Sequence, residues 1–162
     1  MQPLDPAEIR ASFVNCSRGE AKSVTLPADV PWEKRDFLGW RDVKAPGRAY
    51  LVVPHGDELV GLSLRAAPPA KSRVRSNICA FCTTTHPLAD ITLFSARLAG
   101  KAGRDGNTVG TYLCADLECS AYLRGELKPA VPQPKETLTQ EEAVERMNEK
   151  ISRFVARVLE TR

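Results

Sequence analysis

Four of the five cysteines fall into two close pairs, Cys79-Ala-Phe-Cys82 and Cys114-Ala-Asp-Leu-Glu-Cys119, and the fifth, Cys16, lies far upstream. Cys-x2-Cys lets two thiolates from one tight turn reach the same ion, so two such pairs can complete a tetrahedral zinc site. A site with four protein ligands keeps no open position for water or substrate, which makes its one zinc ion structural. Two other readings of these residues stand beside it. The cysteines could be buried free thiols, or Cys79 and Cys82 could be a redox dithiol, because Cys-x2-Cys is also the thioredoxin-type spacing. A redox pair usually opens a helix in a βαβ context, and nothing around it supplies one. With four cysteines available the site is full, so His86 is expected as a loop residue before Pro87 and His55 as a turn residue.

The elements that must position these residues follow from pattern. ITLFSARL at 91–98 and NTVGTYL at 107–113 read as two strands joined by AGKAGRDG, whose glycines suit a hairpin loop. If Asp116 caps a helix, Cys119 occupies its first turn and Cys114 ends the preceding strand, while Gly125 suits the helix stop. Knuckle, strand, loop, strand, then a second pair at a helix start is the treble-clef order; a zinc ribbon would use a second knuckle without a helix. Downstream, Thr139-Gln-Glu-Glu142 is a capping box, and Val144, Met147, Ile151, Phe154 and Val158 step along one face of a long amphipathic helix over roughly 140–160.

Upstream, Asp5-Pro6-Ala7-Glu8 reads as a helix start, and Ile9, Phe13 and Cys16 recur as one buried stripe, which makes Cys16 a small core hydrophobe. A short helix is expected near 32–37, then a turn around Leu38-Gly39-Trp40, then a hairpin of AYLVV at 49–53 and ELVGLSLR at 58–65. AAPPA at 66–70 marks the main shift in composition. The expected class is α+β. An N-terminal helix and β-hairpin lobe (1–70) precedes a four-cysteine treble-clef domain with a C-terminal helix (71–162), the alternative being one compact domain.

The chain has 162 residues, 43% hydrophobic and 27% charged, which is globular rather than disordered composition. No apolar run approaches the roughly 20 residues of a membrane helix. The start MQPLDPAEIR has proline and two acids where a signal peptide needs a basic, then apolar, run, so a cytoplasmic protein is expected. The net charge of +3 falls wholly within 71–128, where eight basic groups face five acidic ones. Four thiolates on one dication would reduce that bias to about +1, which is poor support for nucleic-acid binding. With no phosphate-cradling loop, no Ser/His/Asp set and two histidines, a non-enzymatic protein is expected.

SNICAFC, ITLFSARLAG, GTYLCADLECSAYLRG and, upstream, LGWRD together resemble the zinc-binding C-terminal domain of elongation-factor-G-binding proteins. These are the FusB-type fusidic-acid-resistance proteins and their short actinobacterial relatives, and the likeness runs from about Leu38 to the end. It implies one zinc on Cys79, Cys82, Cys114 and Cys119, and binding to elongation factor G, which in the resistance proteins frees the factor from stalled ribosomes. The resistance proteins also carry an N-terminal helical bundle, for which the residues before Leu38 are too few; factor binding is what the family assigns to the zinc domain. The family uses aromatic and basic residues around the zinc for this contact, which points here to Phe81, Arg97, Tyr112 and Phe154. Phe81, inside the knuckle, is expected to stand exposed beside the metal, and Phe154 lies on the apolar face of the last helix. The expected partner is elongation factor G, on or near the ribosome, with the chain a monomer. The alternative is an RNA- or ribosome-binding zinc module using Lys71, Arg73, Arg75, Lys101, Arg104 and Arg124 on phosphates.

Overall fold

The computed structural model describes residues 1–160. Asp5 caps α1 (Pro6–Ala11): its side chain accepts the Glu8 amide, and the Glu8 carboxylate accepts the Asp5 amide in return. The stripe expected beyond it does not form on one helix. The Ser12 hydroxyl donates to the Ile9 carbonyl as the helix closes, and Phe13 then makes a parallel bridge to Gly61. Ile9 is buried, whereas Cys16 is half-buried on the segment before α2 (Arg18–Ser23), and burial together with Glu20 pushes its thiol up. Hydrophobic periodicity does not reveal α2, because Ala21 is its one buried residue; its Ser17/Glu20 capping box is the signal.

A single 3-10 turn at Trp32–Lys34 stands where the next helix was expected. The expected turn around Gly39 is a strand, β1 (Leu38–Arg41), in which Leu38 and Trp40 are buried on one face. β2 (Arg48–His55) and β3 (Glu58–Ala66) form the expected hairpin, with His55 opposite Glu58. β4 (Ser76–Ile78) and β5 (Thr85–Pro87) make a separate small hairpin around the first cysteine pair. β6 (Ile91–Arg97) and β7 (Thr108–Cys114) pair along their length, and the loop between them contains one helical turn, α3 (Gly100–Arg104). Two more helices follow, α4 (Cys119–Leu123) and α5 (Gln140–Leu159).

The five long strands form one antiparallel sheet in the order β1-β2-β3-β6-β7, so the β3–β6 pairing carries the sheet across the 66–70 stretch. Its two faces are filled differently. On one face Leu51, Val53, Leu62, Leu64 and Phe94 join Met147, Ile151, Phe154, Val155 and Val158 of α5, with Val144 half-buried at the helix start. The four paired cysteines belong to this same core. On the other face Trp40, Tyr50 and Val52 are covered by the N-terminal residues, among them Ile9, Phe13 and Val24. That cover reaches the outer face of β6–β7 only at its Arg97 end, where Asn15 Nδ2 donates to the Arg97 carbonyl, and leaves Leu93 and Tyr112 exposed.

Candidate metal centre

The four cysteines reach the site from three local structures, Cys79 and Cys82 sharing the turn between β4 and β5. Cys79 follows β4, and its turn is closed by the Thr83 amide on the Cys79 carbonyl and the Cys79 amide on the Thr84 carbonyl. The Ala80 amide donates to the Tyr112 carbonyl, which fastens this knuckle to β7. Cys114 is the last residue of β7, opposite Ile91. Cys119 is the first residue of α4, whose N-cap is Glu118. Asp116, expected as that cap, instead accepts the Glu118 amide in a local turn, while Leu117 takes a left-handed φ of 57°. The longer spacing of the second pair is thus absorbed by a tight turn, and the helix starts later than expected. It stops as expected: Gly125, at φ 72°, donates to the Tyr122 carbonyl and Glu126 to the Ala121 carbonyl.

The four sulfurs are buried and lie within 4.8 Å of one another, with Cys79–Cys119 and Cys82–Cys114 at 3.6 Å. A tetrahedral zinc with bonds near 2.3 Å sets sulfur–sulfur edges of about 3.8 Å, so the set fits one zinc ion. The electrostatics point the same way. Hydrogen bonds from Cys114, Cys119 and Cys79 hold the Cys82 thiol far below its ordinary range, while contacts with Cys114, Cys79 and Cys82, and then burial, drive Cys119 well above it. Four buried thiols left to themselves retain protons between them; a divalent cation is what lets all four be thiolates. When bound, the zinc supplies cross-linking of β4–β5, β7 and α4. The residues Cys79, Cys82, Cys114 and Cys119 hold it as a structural ion.

Around the sulfurs the structure places residues the sequence left elsewhere. His86, expected in a loop, lies on β5, 1% exposed, with Nε2 3.4 Å from Cys114 Sγ. Its ring meets the edge of Tyr122 at 4.6 Å, and the Tyr122 hydroxyl donates to Asp116 Oδ2 at 2.7 Å. A three-residue strand carries too short a pattern to announce itself, which is why His86 went unplaced. LGWRD acquires a physical meaning here. Gly39 lies so close to the second knuckle that an added Cβ would sit 3.0 Å from the Leu117 Cβ. Trp40 Nε1 donates to the Thr25 carbonyl, Arg41 Nη1 donates to the Ala115 carbonyl, and Asp42 accepts the Tyr50 hydroxyl.

The four residues expected to contact a partner separate into two kinds. Phe81, expected to be exposed, is 1% exposed, packed edge-on against Phe37 at 6.1 Å and Phe154 at 5.8 Å. The reason is that the knuckle does not stand free: α5 and the segment before β1 close over it. Phe154 is likewise buried. Tyr112, 49% exposed, and Arg97 lie on the outer face of β6–β7, Tyr112 directly opposite the exposed Leu93. Of the basic residues named for phosphate contact, Arg73 pairs with Asp90, Lys101 with Asp105 and Arg124 with Asp36. No helix among the described residues is long and apolar enough to cross a membrane.

No curated protein matches the chain significantly. The family model described as FBP C-terminal treble-clef zinc-finger matches residues 8–158, nearly the whole chain, from within α1 to within α5. The buried four-cysteine set, the β6–β7 hairpin between its two pairs and the helix opened by its last cysteine are the parts that description requires. The chain belongs to the FBP C-terminal treble-clef zinc-finger family.

Proposed function

We propose that this chain is a non-enzymatic, zinc-stabilised module that binds translation elongation factor G and promotes its release from the ribosome, acting as a cytoplasmic monomer. The observation that carries the reading is the match to the FBP C-terminal treble-clef zinc-finger family over residues 8–158, together with the likeness of the cysteine motifs to elongation-factor-G-binding proteins. The chemistry agrees with it: four sulfurs around one ion leave no coordination position for a substrate. The contact surface in this reading is the outer face of β6–β7, where Tyr112 and Leu93 lie side by side and Arg97 follows on β6. Arg48 and Arg65, opposite each other on β2 and β3, extend that face, and Ala80 of the first knuckle borders it through the Tyr112 carbonyl. Exposed tyrosine beside arginine is the composition that dominates protein interfaces.

The same face favours one second reading, a single-stranded RNA platform with Tyr112 stacking on a base and Arg48, Arg65 and Arg97 on phosphates. Purified zinc-loaded protein is therefore titrated with purified, nuclease-treated elongation factor G at two salt concentrations. Binding that survives nuclease, and that Tyr112→Ala weakens by about 2 kcal/mol, supports the factor. No binding to the nuclease-treated factor, alongside binding to single-stranded RNA that weakens across Arg48, Arg65 and Arg97 and falls steeply with salt, supports RNA and removes the factor reading.

A further inference from the structure

We infer that His86 is a positioning residue for the metal centre, donating its Nε2 proton to the Cys114 thiolate and so protecting that sulfur in the zinc-bound state. The geometry carries this. The described hydrogen-bond partners of the four sulfurs are one another and His86. Once all four are thiolates they only accept, so the contacts among them end and His86 Nε2, at 3.4 Å from Cys114 Sγ, is the remaining described donor. A bare Nε2 lone pair facing a buried thiolate would repel it. Loading the site with zinc therefore fixes the Nε2-protonated form of the ring.

The ring is held for that task. It is buried on β5, whose hairpin partner β4 leads directly into Cys79. Tyr122 of α4 presses against it and is itself anchored by Asp116, so the second knuckle positions the donor for its own first cysteine. Gln133 completes the support from outside: its Nε2 donates to the Thr85 carbonyl and its Oε1 accepts the Thr85 amide, pairing with the residue before His86 as a strand would. A buried polar ring against an aromatic neighbour is costly unless it has a hydrogen-bonding role, and the thiolate supplies one. Donation withdraws charge from the sulfur, which lowers its nucleophilicity and slows loss of the metal.

The test begins on the wild-type fold. In zinc-loaded His55→Gln protein labelled with 15N-histidine, the one remaining ring should show a proton on Nε2; a ring with Nε2 bare overturns the inference. The cobalt-substituted protein then reports the sulfur directly. His86→Phe should shift the sulfur-to-cobalt charge-transfer bands and speed both chelator-driven zinc release and iodoacetamide alkylation by about ten-fold or more. His86→Gln, which can still donate, should return the bands and rates toward wild type. A folded His86→Phe protein with unchanged bands and rates overturns the inference. If His86→Phe does not fold, the wild-type tautomer and the His86→Gln bands decide, with a bare Nε2 or bands displaced from wild type counting against it.

Discussion

The two knuckles contribute two sulfurs each to one ion, yet they are held in opposite ways. The first is short, and its loop sends one aromatic side chain, Phe81, into the core between Phe37 and Phe154; a side-chain polar tie to α5 is Lys150 Nζ on Thr83 Oγ1. The second is two residues longer and is held mainly by polar contacts from the segment around β1. Arg41 donates to the Ala115 carbonyl, Arg35 pairs with Glu118 at 3.0 Å, Asp36 pairs with Arg124 at 2.7 Å, and the Asp36 amide donates to Ser120 Oγ. The difference teaches what loop length demands. The two-residue loop closes most of its backbone within the turn and sends the Ala80 amide to the Tyr112 carbonyl, so packing carries most of the rest; the four-residue loop exposes carbonyls and a helix start that another segment must satisfy.

The largest effect should ignore this difference. Cys79→Ser and Cys114→Ser each remove a ligand from the same ion, and metal binding at such sites contributes folding free energy on the order of 10 kcal/mol or more. Both variants should lose zinc and cooperative unfolding together, read by metal analysis and circular dichroism. A serine variant that keeps one equivalent of zinc and a sharp transition would show that one knuckle holds the ion without the other.

Phe81→Ala tests the packed knuckle. The side chain is buried against two aromatic rings, so removal should lower the unfolding free energy of the zinc-loaded protein, read by denaturant titration, by about 3–5 kcal/mol. The zinc stoichiometry of the folded fraction should stay at one. A loss below about 1 kcal/mol would mean that the aromatic contacts do not hold this knuckle.

How much of this was legible in the sequence depends on where the information sits. The ligand set, the treble-clef order and α5 were legible because each is a local pattern: cysteine spacing, strand alternation, and a capping box followed by three- and four-residue steps. Phe81 was misplaced because its burial is decided by Phe37 and Phe154, both distant in the chain. Gly39 reads locally as a turn signal, yet it sits in a strand because only a residue without a Cβ lets β1 approach Leu117. His86 was missed for the same reason: its meaning lies in Cys114 and Tyr122, which come from β7 and α4.

Gly39→Ala tests the strapped knuckle. The new methyl would meet Phe37 at 2.9 Å, Leu117 at 3.0 Å and Leu51 at 3.1 Å, so β1 must move away from the second knuckle or the core must shift. The expected cost is about 1–3 kcal/mol. It should appear with faster amide exchange in 114–119, which the methyl meets directly at Leu117, than in 79–84, which feels it only through Phe37 on Phe81. Equal acceleration at both would show that the two are not held independently.

The smallest effect, at Thr83, gains its meaning beside its counterpart Leu117 at the tightest point of the other knuckle. Each turn places a non-glycine residue at left-handed φ: Thr83 at 64° in the first and Leu117 at 57° in the second. For a β-branched residue this conformation costs about 1–2 kcal/mol, which glycine relieves. Thr83→Gly also loses the Lys150 hydrogen bond, about 1 kcal/mol, and adds chain entropy to the unfolded state, about 0.5–1 kcal/mol. These terms nearly cancel, so Thr83→Gly should leave stability within about 1 kcal/mol of wild type. Leu117→Gly relieves the same strain but empties a side chain that is 2% exposed, and should lose about 2–4 kcal/mol. Denaturant unfolding of the two variants side by side checks this. Equal losses would place strain, rather than what each turn packs against, in control of both knuckles.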